Sequence, residues 1–159
     1  MTISPHTSAS THSAEGPKFP PNCAVVWVRR ATDDDKARTE ANAEACGQHR
    51  ILEAAGFDTT QITTFILLGV GGWRLGPELC ALISAVTDGR VVALATAAAH
   101  RLSRNPEDFD KILHALTNTG TCRVLIAGKE LQHEDLLAWH LILSASDKGL
   151  APRRVGGFK

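Results

Sequence analysis

The sequence predicts an α/β fold: a mostly parallel sheet of four or five strands with helices on both faces. Short apolar, β-branched runs alternate with longer segments of helical period, which is the pattern of linked βαβ units. The first of these runs, Cys23 to Arg30 (CAVVWVRR), shows no in-and-out alternation and suits a strand covered on both faces. Helix start and stop residues fall between the runs. Pro77 and Pro106 stand at first-turn positions, and Gly56, Asp88-Gly89 and Asn118 to Gly120 stand at ends.

Taken in order, strand one is Cys23 to Arg30. Thr32 then offers an N-cap, and Asp33, Asp34 and Asp35 supply negative charge to the first turn of a helix that runs to about Ala55. Ile62 to Leu68 reads as a second strand, broken by Gly69, Gly71 and Gly72. Pro77 opens a helix whose apolar face is Leu79, Leu82, Ile83 and Val86, and Val91 to Ala97 is the third strand. Pro106 opens a helix with Phe109, Ile112, Leu113 and Leu116 inward, followed by a short strand from Val124 to Ala127. From Glu134 to Ser146, Leu136, Leu137, Trp139, His140, Leu141 and Leu143 make a helix apolar on more sides than one surface stripe needs. That excess suits packing against a partner.

The domain so defined spans residues 22–148. Before it, Met1 to Pro21 is rich in Ser, Thr, Pro and His, lacks the features of a signal peptide, and reads as a disordered leader. After it, 149–159 (GLAPRRVGGFK) reads as a mobile basic tail, in which Arg153, Arg154 and Lys159 could touch a phosphate backbone. Every stretch long enough to span a bilayer carries charged or strongly polar groups, so no membrane association is expected and the cytoplasm is the expected compartment. Cys23, Cys46, Cys80 and Cys122 form no CxxC pair and read as buried free thiols. Seventeen basic and seventeen acidic side chains cancel, which excludes a global field drawing in nucleic acid and makes any anion site local.

Two basic clusters fall at carboxyl ends of strands, where open α/β sheets place their ligands: Arg29-Arg30, and His100-Arg101-Leu102-Ser103-Arg104. Guanidinium forks match phosphate oxygens, so both clusters could face one anion or be solvated strand-end charges. Gly69-Val70-Gly71-Gly72 lacks the Gly-Lys-Ser/Thr of a phosphate loop and the spacing of a dinucleotide fingerprint. His49, His114 and His133 have no spacing that gathers a metal, and neither metal nor cofactor is expected. Ser103 has no His and carboxylate arranged with it as a triad.

The order of these features resembles the catalytic domain of serine recombinases of the resolvase/invertase family, over about residues 23–145. That family ends strand one in Tyr-x-Arg-x-Ser and runs strand three into Asp-Arg-Leu-Ser-Arg. The matching segments are Trp27-Val28-Arg29-Arg30-Ala31 and His100-Arg101-Leu102-Ser103-Arg104. Gly69-Val70-Gly71-Gly72 stands for its Gly-Val-Ser-Gly loop, and Gly76-Pro77-Glu78-Leu79 for its Arg-Pro-x-Leu. The resemblance implies a resolvase-like fold and a phosphate site at Arg29, Arg101 and Arg104. It also implies that the nucleophilic serine is replaced by Ala31, an activating arginine by Gly76 and an aspartate by His100. Without a hydroxyl at Ala31 the family's covalent phosphoserine step has no nucleophile there. The residues after Ser146 are too few for a helix-turn-helix.

Three functions follow as expectations. One is a recombinase-like pseudoenzyme associated with DNA, or with a recombinase or a second copy of itself through Leu136 to Leu143. Another is an active recombinase with Thr32 or Ser103 as substitute nucleophile. The last is a small phosphate- or nucleotide-binding α/β protein.

Overall fold

The computed structural model describes residues 17–71 and 76–147, without the side chains of residues 140 and 142–147. Strand β1 (Cys23–Arg29) lies inside the sheet, and all seven of its residues are buried, as its unbroken apolar run predicts. It pairs in parallel with β2 (Ile62–Leu67) on one side and with β3 (Val91–Thr96) on the other. Strand β4 (Arg123–Ile126) continues the parallel set beside β3, and β5 (Lys129–Leu131) closes the edge antiparallel to β4. The sheet order is β2-β1-β3-β4-β5.

Four helices cover this sheet unevenly: α1 (Asp35–Ala54), α2 (Pro77–Thr87), α3 (Pro106–Thr119) and α4 (His133–Asp147). Strand alternation sends Ala24, Val26 and Val28 to one face, where Ala93, Ala95 and Leu125 join them beneath Ala41, Ala45 and Leu52 of α1. So many alanines on both sides let α1 lie close to the sheet. Val25 and Trp27 point the other way, into a core with Leu94 and Val124 that α2, α3 and α4 cover through Leu82, Ile112, Leu113 and Leu136. Helices on both faces are thus observed, one against three. Among the described residues no helix is long and apolar enough to cross a membrane.

Local chemistry moves several boundaries. The N-cap of α1 is Asp34, not Thr32, because the Asp34 carboxylate accepts the Ala37 N–H at 2.7 Å. Gly120, at φ +60°, ends α3 in the left-handed cap that its sequence suggests. The last strand of the sheet, β5, has no counterpart in the sequence reading. It forms because Ala127 and Gly128, at φ +52° and +76°, make a two-residue hairpin turn. Arg123 then grips Glu130 with two bonds of 2.7 and 2.9 Å across that hairpin.

Phe19, within the stretch expected to be a disordered leader, is buried with its ring centroid 4.7 Å from that of Phe65. Residues 1–16 of that leader and the whole of the basic tail lie outside the described residues. Cys23 and Cys122 are buried as expected, but Cys46 and Cys80 are exposed, since each falls on the outer side of its helix. On α4, Leu136 is buried and Trp139 packs against Phe109, whereas Leu137 and Leu141 are 39% and 67% exposed. The side chains of His140 and Leu143 lie outside the described residues.

Candidate functional site at the strand carboxyl ends

Because β1, β2 and β3 run in parallel, their carboxyl ends open on one rim, and the loops after them meet there. Main-chain bonds extend the β1–β2 pairing past the strands. Arg30 N–H donates to Leu67 O at 2.8 Å, Val70 N–H to Arg30 O at 3.2 Å and Gly69 N–H to Thr32 O at 3.2 Å. Gly69 makes this possible at φ +68°, a conformation costly for a residue with a Cβ. Ala31 and Thr32 are exposed on this rim. Ala31 presents only a methyl group.

Arg29 is the last residue of β1 and points to the same side as Trp27. It is 4% exposed, and its guanidinium donates Nε to Arg101 O at 3.0 Å, Nη1 to Val70 O at 3.1 Å and Nη2 to His100 O. Trp27 Nε1 donates to the same Arg101 carbonyl at 3.2 Å. Two side chains of one strand therefore strap the Ala99–Arg101 turn and the loop after β2 to the sheet. Burial, then the facing charges of Arg104 and Arg101, lower the proton affinity of Arg29.

Arg30 points to the opposite face and meets α1, with Nη1 at 3.2 Å from Glu40 Oε2 and Nη2 at 2.8 Å from Glu44 Oε2. Arg101 reaches the same carboxylate: its Nη1 donates to Arg29 O at 3.2 Å and its Nη2 lies 3.3 Å from Glu44 Oε2. One oxygen of Glu44 therefore serves two arginines. Neither Glu40 nor Glu44 is among the residues singled out on sequence. The available signal was their i,i+4 spacing on the helix after a strand ending Arg-Arg, which puts both carboxylates on one helical face.

Arg104 is exposed, as is His100. Burial first, then the charges of Arg101, Arg104 and Arg29, hold the His100 pKa below its ordinary value, with Glu44 opposing. Both residues line an open cleft of about 400 Å³ with Ser103 and Phe109. Ser103 itself is buried, and its Oγ accepts the Asn105 N–H at 3.0 Å and donates to Asn105 O at 3.3 Å. This fixes the hydroxyl in the turn that leads into α3, where Asn105 caps the helix. Behind it, a cavity of about 20 Å³ beside Arg29 has room for roughly one water.

Gly76 is the N-cap of α2 at φ −85°, and a Cβ there would meet only the flexible end of Glu78, so the backbone does not demand glycine. Gly72 lies outside the described residues. His49 faces Glu53 at 3.7 Å, His114 pairs with Asn118 at 2.9 Å and His133 begins α4. Among the described residues no group of three metal-ligating side chains comes together.

No protein-family model matches the sequence, and no curated protein matches it significantly. Solved structures do. The N-terminal catalytic domain of TP901-1 integrase is similar with a TM-score of 0.63 and 17% identity, over 79% of this chain and 94% of that one. The C-terminal catalytic domain of ISC1926 TnpA, an IS607-like serine recombinase, is similar with a TM-score of 0.51 and 17% identity, over 79% of this chain and 82% of that one. The likeness is one of fold: a serine recombinase catalytic-domain architecture carried by a divergent sequence.

Proposed function

We propose that this chain is a serine-recombinase-fold domain that does not cut DNA and acts by docking a second domain of the same fold through α4. One observation carries the reading: the residue at the exit of β1 is Ala31, without a hydroxyl, while the donors of the neighbouring Arg29 are turned onto three main-chain carbonyls. Phosphoryl transfer needs a nucleophile and donors aimed at the developing charge, and this rim offers neither at those positions. Docking through α4 is supported by Leu137 and Leu141, large apolar side chains left exposed on a helix that already buries Leu136.

Sedimentation equilibrium of the full chain tests the docking. The expected result is concentration-dependent dimerisation that Leu141→Glu abolishes, with the melting temperature unchanged at dilutions where the natural protein is monomeric. The same protein incubated with supercoiled DNA is expected to give no adduct that survives denaturation. A strict monomer at high concentration refutes the docking, and a covalent adduct lost on changing Thr32 or Ser103 refutes the non-cleaving reading. A second reading is favoured by the cleft that His100 and Arg104 line: a phosphate-bearing small molecule bound there, for which a thermal shift with nucleotides but not with nucleosides is the mark.

A further inference from the structure

The Arg30–Glu44–Arg101 cluster is partly buried, charged and incompletely bonded. The side chains of Arg30, Glu44 and Arg101 are 21%, 9% and 18% exposed, and both arginines converge on Glu44 Oε2. The other atoms of the cluster fare worse: Glu44 Oε1, Arg30 Nε and Arg101 Nε are all buried without a hydrogen-bond partner. Such orphans are uncommon in folded proteins and need a reason. A planar carboxylate on one helix cannot lie along two guanidinium forks at once, so each fork keeps its Nε donor unused. A tetrahedral oxyanion has the oxygens to satisfy both forks, and bidentate arginine contacts are its strongest form of recognition.

From this misfit we propose that Glu44 is an internal counter-ion occupying an oxyanion site built by Arg30 and Arg101, an autoinhibitory contact that an incoming phosphate group must displace. Glu40 remains as a second, more exposed partner for Arg30 when Glu44 leaves, so the displacement does not strand that arginine. Without the Glu44 charge, the positive field of Arg101, Arg104 and Arg29 that already acts on His100 is unopposed by that carboxylate. The inference is independent of docking through α4.

The test is titration of the full chain with inorganic phosphate, followed by nitrogen-detected NMR of the arginine side chains. In the natural protein the Nε–H signals of Arg30 and Arg101 are expected to stay in place through millimolar phosphate. In Glu44→Gln, which keeps the shape and removes the charge, both are expected to shift together, with phosphate binding about tenfold tighter or more. Changing Arg101→Gln in that background is expected to remove the gain. A short DNA duplex titrated in parallel separates the sources: a gain for the duplex, with a steeper salt dependence, marks a nucleic-acid phosphate, and a gain for free phosphate alone marks a small ligand. Shifts of Arg30 and Arg101 in the natural protein as large as those in Glu44→Gln at the same phosphate concentration overturn the proposal. So does a folded Glu44→Gln that gains nothing. If Glu44→Gln does not fold, Glu44→Asp, which draws the carboxylate back by one methylene, is expected to show the same gain in smaller measure.

Discussion

Replacing Arg29 by methionine keeps an unbranched stem of similar reach and removes three donors at once. The carbonyls of Val70, His100 and Arg101 then face a thioether that cannot donate. Hydrogen bonds from a charged group contribute about 1.5–3 kcal/mol each, so the three together represent roughly 4.5–9 kcal/mol. Two effects offset part of this. The buried cation no longer suffers desolvation or repulsion from Arg104 and Arg101, the causes that already lower its proton affinity, and the freed loop carbonyls can turn toward water. The net loss is expected to be about 3 kcal/mol, the lower end of what breaking a buried charged contact costs. With a urea m-value of about 1.5 kcal/mol per molar, the unfolding midpoint falls by about 2 M.

The assay is urea unfolding followed by tryptophan fluorescence, for which Trp27 is a local reporter because it shares the Arg101 carbonyl with Arg29. Arg29→Lys is expected to fall between the two proteins, since one ammonium cannot span three carbonyls set around a planar fork. An Arg29→Met midpoint within experimental error of the natural protein refutes the reasoning. It would mean that the guanidinium is a ligand-binding group whose main-chain bonds hold nothing together.

Two further outcomes follow from the backbone and the thiols. Ala127 sits at φ +52° before Gly128, and Asn is the residue that best tolerates this hairpin position, so Ala127→Asn is expected to stabilise by about 0.5–1 kcal/mol in thermal unfolding. An aromatic disulfide reagent is expected to titrate Cys46 and Cys80 quickly in the native state and Cys23 and Cys122 only as the protein unfolds. Burial, and then the neighbouring Cys23, push the Cys122 thiol up to about 12. A raised folded pKa gives a contribution that is whole below the unfolded value, near pH 9, and is lost as pH rises through the folded value. Stability measured across that alkaline window therefore falls in the natural protein and falls less in Cys122→Ala.

Much of the architecture was legible because each part of it is local. The uninterrupted apolar run at Cys23–Arg29 can only be covered on both faces, and Pro77, Pro106 and Gly120 punctuate helices by backbone chemistry that needs no tertiary partner. The misses are of another kind. Any of the four residues from Thr32 to Asp35 can cap a helix, and only the fold selects Asp34. Lys129–Leu131 has no apolar pattern, and it becomes a strand through the grip of Arg123 on Glu130 across the turn. Phe19 is one ring in a polar stretch, invisible to composition, yet Phe65 gives it a place in the core.

At the rim the same distinction decides what a motif can say. Matching Arg29, Arg101 and Arg104 to a family pattern locates where three side chains leave the backbone, and strand alternation then sends Arg29 to one face and Arg30 to the other. What each guanidinium can do depends on the groups that its donors meet, and these come from distant parts of the chain: main-chain carbonyls for Arg29, Glu44 for Arg30 and Arg101, open solvent for Arg104. A phosphoryl-transfer site requires donors held ready and unoccupied before the substrate arrives. Here the fold that brings the arginines together also supplies most of their partners. Placing a hydroxyl at position 31 would therefore supply one part of such a site and leave Arg29 and Arg101 bound to the protein itself.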